Sequence, residues 1–323
     1  MVLHRHLKFL LAACLAAAML PALAAPRVLY SPYKHLAIGQ NPDGRALAFA
    51  PGGALTWAFA SGECGAEVWG EQSAQQVAGT NVAAFDKAGV DYVISTGGQG
   101  AVFTCASDEG MERFIARYHS PRLVGIDFDI EEGQSEQQIA SLAARAAAAQ
   151  ARHPALRFSF TIATHAASDG SLHSLNATGE TVLKAARQSG LRDYTLNLMV
   201  MDYGPASAAN CVVRKGRCDM GSSAIQAARN VHAKYGVPLN QIELTVMIGV
   251  NDVLENVFTL DDARTVSRAV RSMKLAGLHF WSLDRDTPCS AASGATGTAD
   301  ARCSGMKGVA AGAYTRALSG AAR

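Results

Sequence analysis

Eight stretches of this chain are apolar and rich in β-branched or aromatic residues, each about the length of a strand. They run Val28–Tyr33, Ala54–Ala60, Val90–Thr96, Leu123–Glu131, Arg157–Thr164, Tyr194–Tyr203, Ile242–Gly249 and Ala276–Leu283. Between most of them lie helical patterns. Ser135 opens one, and Gln138 three residues on completes a capping box ahead of Ile139 and Leu142, in a pattern that reaches Gln150. Thr259 and Asp262 form a second box before Ala263–Leu275. Strands alternating with helices predict an α/β chain with a parallel sheet, and eight such units predict closure into a single (β/α)8 TIM barrel. An open, doubly wound sheet is the competing arrangement. Against it, no Gly-rich nucleotide loop follows the first run, and the region after Gly97-Gly98 lacks the G-x-G-x-x-G spacing. No internal repeat, low-complexity linker or appended binding module is visible. Ala291–Gly305 is the loosest stretch and reads as a disulfide-closed surface loop.

Met1 to Ala24 reads as a secretory signal peptide, with Arg5 and Lys8 as its basic start, Phe9 to Leu20 as its apolar run and Ala22-Leu23-Ala24 as its cleavage site. Leu11-Ala-Ala-Cys14 also resembles a lipidation site, but a cut there would leave Leu15 to Ala25 as an apolar tether. The apolar run is shorter than the ~20 residues a membrane span requires, and no later stretch is long enough. The chain therefore divides into a leader, residues 1–24, and one domain, residues 25–323, expected to be secreted and free of the membrane once the leader is cut.

Of 29 basic residues, Arg5 and Lys8 leave with the leader; the rest balance the 27 acidic ones, so the remainder is formally neutral. No basic stripe appears, which argues against a nucleic-acid partner. Cys14 is lost as well, and Cys64, Cys105, Cys211, Cys218, Cys289 and Cys303 remain, an even set that favours disulfides in a secreted chain. Sequence order suggests Cys211–Cys218 and Cys289–Cys303 as short local loops and leaves Cys64–Cys105, one of the fifteen pairings such a set allows. No C-x2-C pair or nearby histidine cluster points to zinc.

Val124-Gly-Ile-Asp-Phe-Asp-Ile-Glu-Glu132 breaks the apolar pattern. Asp127, Asp129 and Glu131 sit two apart, so on a strand their carboxyls point to one face while Phe128 and Ile130 point to the other. Carboxyls stacked on an inward row repel each other and resist desolvation, so at least one pKa must rise. A raised carboxyl is what a general acid near neutral pH needs. A calcium loop would be rich in Gly, Asn and Asp without apolar interleaving. A solvated acidic edge would lack the Leu-Val-Gly-Ile lead-in. The pattern resembles the DxxDxDxE signature of glycoside hydrolase family 18, the chitinases and their relatives, with Val124 in place of the leading Asp. That position has the opposite strand parity from the acidic row, so its loss bears on support rather than chemistry.

The resemblance runs from Tyr33 to Trp281, and in this barrel class chemistry collects at the C-terminal ends of the strands. The first run ends in Ser31-Pro-Tyr33, an aromatic donor facing the cleft. The third ends in Ser95-Thr-Gly97-Gly98, matching the family's SxGG motif, with Ser95 placed to hydrogen-bond an acidic neighbour. The sixth gives Met199, Met201, Asp202 and Tyr203, the seventh Met247, Asn251 and Asp252 with Glu255 beyond, and the eighth Trp281 followed by Asp284-Arg285-Asp286. Trp281 would be the stacking floor for a sugar ring, and Arg285 reads as the centre of a structural ion-pair knot. Many members carry Met-x-Tyr-Asp on the sixth strand, whose Tyr holds the substrate acetamide. Here Met199-Val-Met201-Asp202 puts Met201 at that tyrosine; Tyr203, of the same parity, could supply the hydroxyl from one step higher, and the resemblance leaves Tyr203 or Asp202 to bind the acetamide from the far side.

The resemblance implies a chitinase that cuts chitin or N-acetylglucosamine oligosaccharides with retention, through an oxazolinium formed by the substrate's own acetamide. Glu131 would be the acid, Asp129 would orient the acetamide, and Asp127 would hold Asp129. It implies no metal and no organic cofactor, and a monomer is the default expectation. The alternatives are an endo-N-acetylglucosaminidase acting on glycans and a non-catalytic chitin-binding lectin on the same barrel; the presence of Glu131 weighs against the lectin.

Overall fold

The apolar runs form the strands of one parallel sheet in a computed structural model that describes residues 28–35, 53–290 and 294–322. The leader, with Cys14, lies outside the described residues. In chain order the sheet strands are β1 (Leu29–Tyr30), β2 (Tyr33–His35), β3 (Ala54–Ala60), β4 (Asp91–Gly97), β5 (Leu123–Asp129), β6 (Arg157–Ala163), β7 (Tyr194–Met199), β8 (Ile242–Met247) and β9 (Gly277–Trp281). Their order across the sheet is β1-β9-β8-β7-β6-β5-β4-β3-β2. Only Ser31 and Pro32 separate β1 from β2, so the two ends of the sheet are halves of one apolar run, and the sheet curls until its ends share that segment. A proline has no N–H to give to a ladder, and it sits at the break.

Helices follow the strands from β3 onward: α1 (Ala74–Ala88), α2 (Asp108–Arg117), α3 (Glu136–Arg152), α4 (Ala177–Gln188), α5 (Met220–Tyr235), α6 (Leu260–Met273) and α7 (Ala313–Leu318). Both expected capping boxes form, Ser135/Gln138 on α3 and Thr259/Asp262 on α6, and Ser73/Gln76 adds a third on α1. Each box satisfies two backbone donors that a helix start leaves open. The strand faces turned toward the helices are apolar. Ile126 and Phe128 of β5 join Ile139, Leu142 and Ala146 of α3 in one buried cluster, and the Phe128 ring stacks on Phe158 of β6.

The opposite face of the sheet is polar. At its base Glu243 of β8 pairs with Arg157 of β6 and, at 3.1 Å, with the His279 ring of β9. Burial alone would raise the Glu243 carboxyl, but the Arg157 guanidinium and the His279 ring outweigh it and hold the group at about 2, below the ordinary 4.5. A carboxyl lowered by folding stabilises the native state above pH 4.5, and that contribution is lost as the pH falls toward 2. Glu243→Gln is therefore expected to cost about 2 kcal/mol at neutral pH, the partial exposure of Arg157 keeping it below the full penalty for breaking a buried pair. Thermal unfolding at pH 7 and pH 2 checks it. Parent and variant should converge at the acid end, and an equal gap at both would refute the charge pairing.

The three expected disulfides are present: Cys64–Cys105, Cys211–Cys218 and Cys289–Cys303. The first ties the loop after β3 to the loop after β4, and the second closes the small hairpin Val213–Arg214/Arg217–Cys218. The stretch before Gly305 is less loose than its composition suggests. Ser304 is buried, and its carbonyl accepts a 2.9 Å bond from the Val250 N–H. Gly249 permits that approach, because a Cβ there, at φ +77°, would lie 1.9 Å from the Ser304 oxygen.

Candidate active site

The inward row of β5 places Asp127 beneath Asp129. Asp127 is buried, and one of its oxygens accepts from Ser95 Oγ of β4 at 2.6 Å and Tyr33 Oη of β2 at 2.9 Å. The other accepts from Ser159 Oγ at 2.6 Å and Thr161 Oγ1 at 2.7 Å, both on β6. Asn197 of β7 locks this arrangement, donating to Tyr33 Oη at 3.1 Å and Thr161 Oγ1 at 2.8 Å, while its own oxygen takes the Thr245 hydroxyl. Burial raises the Asp127 pKa, and the four hydroxyls pull it back only in part.

Asp129 stands one layer higher and is also buried, yet its Oδ1 has no hydrogen-bond partner. Burial pushes its carboxyl well up, and the negative charges of Glu131 and Asp127 push it further. Its backbone is held by the Ser95-Thr-Gly97-Gly98 turn. The Gly98 N–H donates to the Asp129 carbonyl at 3.2 Å, and a Cβ on Gly97, at φ +81°, would sit 2.1 Å from that oxygen. The glycines of this turn are thus a steric requirement. Glu131 lies two residues past the end of β5, half-buried. Its pKa is pushed up to about 6, first by burial and then by the charges of Glu132, Asp202 and Asp252.

The ends of the strands open into a cleft of about 430 Å³ that contains Asp129 and Glu131. Trp281 forms an apolar wall with Phe59, the rings stacked with centroids 5.6 Å apart, and with the tilted ring of Tyr33 at 6.2 Å. The peptides Ala58–Phe59 and Trp281–Ser282 are both cis. Ala163, Met199, Met201 and Met247 form a further apolar part of the lining, with Met247 beside Trp281 in the β8–β9 register. Ala163, Met199 and Thr245 are register neighbours across β6, β7 and β8.

Of the substrate-binding residues expected from the sequence, Tyr33, Met199, Met201, Asp202 and Trp281 line this cleft. Two do not. Ser95 is fully buried, with its hydroxyl committed to Asp127, so it supports the acidic row from below. Tyr203 is buried in the core outside the cleft. The parity argument fails for it because β7 ends at Met199 and Asp202 takes φ +48°, so alternation stops before Tyr203 is reached. Asp202 itself accepts from the Val253 N–H at 2.7 Å and remains on the lining.

Arg285 is likewise not the centre of an ion-pair knot. Its guanidinium donates to the carbonyls of Ile248, Val250 and Asp300, while Lys34 pairs with Asp284 and Asp286 caps α7 through the Tyr314 and Thr315 N–H groups. The Cys211–Cys218 hairpin is not part of the cleft lining. It props the loop after β6, where the Ala166 and Ser168 N–H groups bond to Asn210 and Ala208. That loop carries His165, which lines the cleft and stacks on His173 at 4.4 Å. Phe59, Gln99, Thr161, Thr164, Asn176, Thr245 and Val253 also line the cleft, and sequence reasoning missed them. Thr161 had a signal, as a small polar residue that shares the inward parity of β6 with Ser159, and Thr245 has the same signal on β8. Among the described residues the one cluster of metal-ligating type, Glu63 with Cys64 and Cys105, has both sulfurs tied in a disulfide.

No family model matches the chain. It is 28% identical over 297 residues to Endochitinase 11 of Metarhizium anisopliae, covering 84% of this chain and 55% of the relative. It is 27% identical over 296 residues to the probable bifunctional chitinase/lysozyme of Escherichia coli strain K12, covering 83% and 32%. The chain thus spans about half of one curated relative and a third of the other. In fold it is similar to the catalytic domain of the hyperthermophilic chitinase from Pyrococcus furiosus, with a TM-score of 0.70, 24% identity, and coverage of 91% of this chain and 95% of that one. In sequence the chain is thus similar to chitinases, and it shares the curled parallel sheet of a chitinase catalytic domain, with the acidic row at the sheet's open end.

Proposed function

We propose that this domain is a secreted (β/α)8 chitinase that hydrolyses β-1,4-linked N-acetylglucosamine chains with retention, through an oxazolinium intermediate. The observation that carries the reading is the unpartnered, buried Oδ1 of Asp129, set between a fully hydrogen-bonded Asp127 and a Glu131 whose pKa is pushed up to about 6. An acceptor left open in such a place is suited to an amide N–H brought by the substrate. The acidic row rises from one strand, so its members do not flank a sugar ring from opposite faces as an enzymic nucleophile and acid would.

The steps follow from these positions. Glu131 gives its proton to the glycosidic oxygen while the acetamide oxygen attacks the anomeric carbon, and the bond to the leaving sugar breaks. Asp129 binds the acetamide N–H and balances the positive charge that grows on the oxazolinium. Asp127, held by four hydroxyls, stands beneath Asp129, and its charge helps to raise the Asp129 carboxyl. Water then attacks the anomeric carbon as its bond to the acetamide oxygen breaks and the acetamide is restored, Glu131 takes the water's proton, and the β-configuration returns. Trp281 supplies the face on which the ring rests. Three disulfides suit an oxidising compartment, and among the described residues no helix is long and apolar enough to cross a membrane.

Proton NMR of chitotetraose digestion tests the reading. The β-anomer of the new reducing end should appear first, and the fully deacetylated glucosamine tetramer should stay intact. Initial release of the α-anomer, or rapid cleavage of the deacetylated chain, would defeat it.

A further inference from the structure

Which amides the cleft admits depends on its methionine-rich lining. With its N–H on Asp129, a planar amide that aims its oxygen at the anomeric carbon must point its alkyl group away from the sugar. The hydroxyls nearest that direction are spent elsewhere: Thr161 and Tyr33 donate to Asp127, and Thr245 donates to Asn197. One inward step beyond Thr161, Asn197 and Thr245 on the same strands stand Ala163, Met199 and Met247, with Met201 just past the end of β7, and these offer the alkyl group a methyl and three thioethers. Ala163 is short, and its register neighbour Met199 is unbranched, with three rotatable bonds, as are the other two methionines. Such a wall gives way where a rigid phenol or branched side chain would collide.

We propose that this cleft accepts 2-acylamido sugars with acyl chains longer than acetyl, propanoyl and butanoyl glucosamine among them. Ala163, Met199, Met201 and Met247 set that tolerance. The inference rests on the chitinase reading, since it needs the amide to be seated on Asp129.

The test is a series of aryl chitobiosides whose reducing-end sugar carries an acetyl, propanoyl or butanoyl amide, each assayed for kcat/KM. A closed apolar pocket penalises one unaccommodated methylene by about tenfold or more. Here the propanoyl substrate should stay within about threefold of the acetyl one. Met201→Tyr and Ala163→Leu should each lower the propanoyl-to-acetyl ratio by about tenfold, whatever they do to the acetyl rate itself. If the parent turns over acetyl and rejects propanoyl by tenfold or more, the inference fails and the chitinase reading stands. If the parent turns over neither, both fail. The parent series decides the matter even where a variant does not fold, and a ratio unmoved in both folded variants would overturn the assignment of the wall.

Discussion

Glu131→Gln should lower kcat on chitotetraose by about 10²–10⁴-fold, the usual share of a positioned general acid. The amide cannot give a proton to the leaving oxygen, yet it keeps the shape and most hydrogen-bonding capacity of the carboxyl, so oligosaccharide binding should persist. The pH profile supplies a second signature. The acid works only when protonated, and burial together with Glu132, Asp202 and Asp252 lifts its pKa to about 6. In the parent, kcat/KM should therefore fall as the pH rises through about 6, and the residual rate of the variant should lack that limb. Isothermal titration with chitotetraose, run beside the rate assay, separates the competing readings. Inactivity in both proteins with tight binding in both would mark a lectin, and failure of both to bind would send the search to N-glycans.

The acidic row was legible because its signal is local. Three carboxyls two apart in an apolar strand have one geometric meaning, and the structure sets Asp127 and Asp129 on the inward face of β5 as alternation requires. The alternating strands and helices, the capping boxes and the two short disulfide loops were legible for the same reason, since each depends on residues near one another in the chain, whereas Cys64–Cys105, 41 residues apart, followed only as the remaining pair. What failed was extrapolation past the end of an element. Tyr203 was placed by parity, but the strand had already stopped and Asp202 had turned the backbone to φ +48°. Arg285 was paired with its chain neighbours, whereas its guanidinium reaches carbonyls of Ile248, Val250 and Asp300 brought up by other loops. The four hydroxyls around Asp127 come from β2, β4 and β6, and no spacing within one strand reveals such a ring. Sequence pattern carries the chemistry on a strand; tertiary closure decides what surrounds it.

Asp129→Asn should make the protein more stable and nearly inactive at once. The native state holds this carboxyl buried, without a partner for Oδ1 and beside Glu131 and Asp127, and these together push its pKa well above the ordinary 3.8. A carboxyl raised by folding costs stability above its unfolded pKa, and the cost is relieved as the pH falls below it. Asn carries no charge to desolvate, so Tm should rise by about 2–4 °C at pH 7, the shift expected for about 1 kcal/mol in a domain of this size. Below about pH 4 the aspartate is protonated in both states, and the gap between parent and variant should close. Catalysis moves the other way. Without the negative charge, the developing oxazolinium loses its counter-charge in a water-poor cleft, and kcat should fall by about 10²–10³-fold, as when a preorganised electrostatic contact is removed elsewhere. Scanning calorimetry across pH 3.5–7.5 with a parallel rate assay reads both effects. A variant less stable than the parent at pH 7 would mean that the carboxylate is satisfied in the resting protein, and the case for an acceptor held open for the substrate amide would be lost. A more stable and inactive variant would show that the fold carries this strain for the reaction, because nothing in its packing gains from a second buried acid stacked above Asp127.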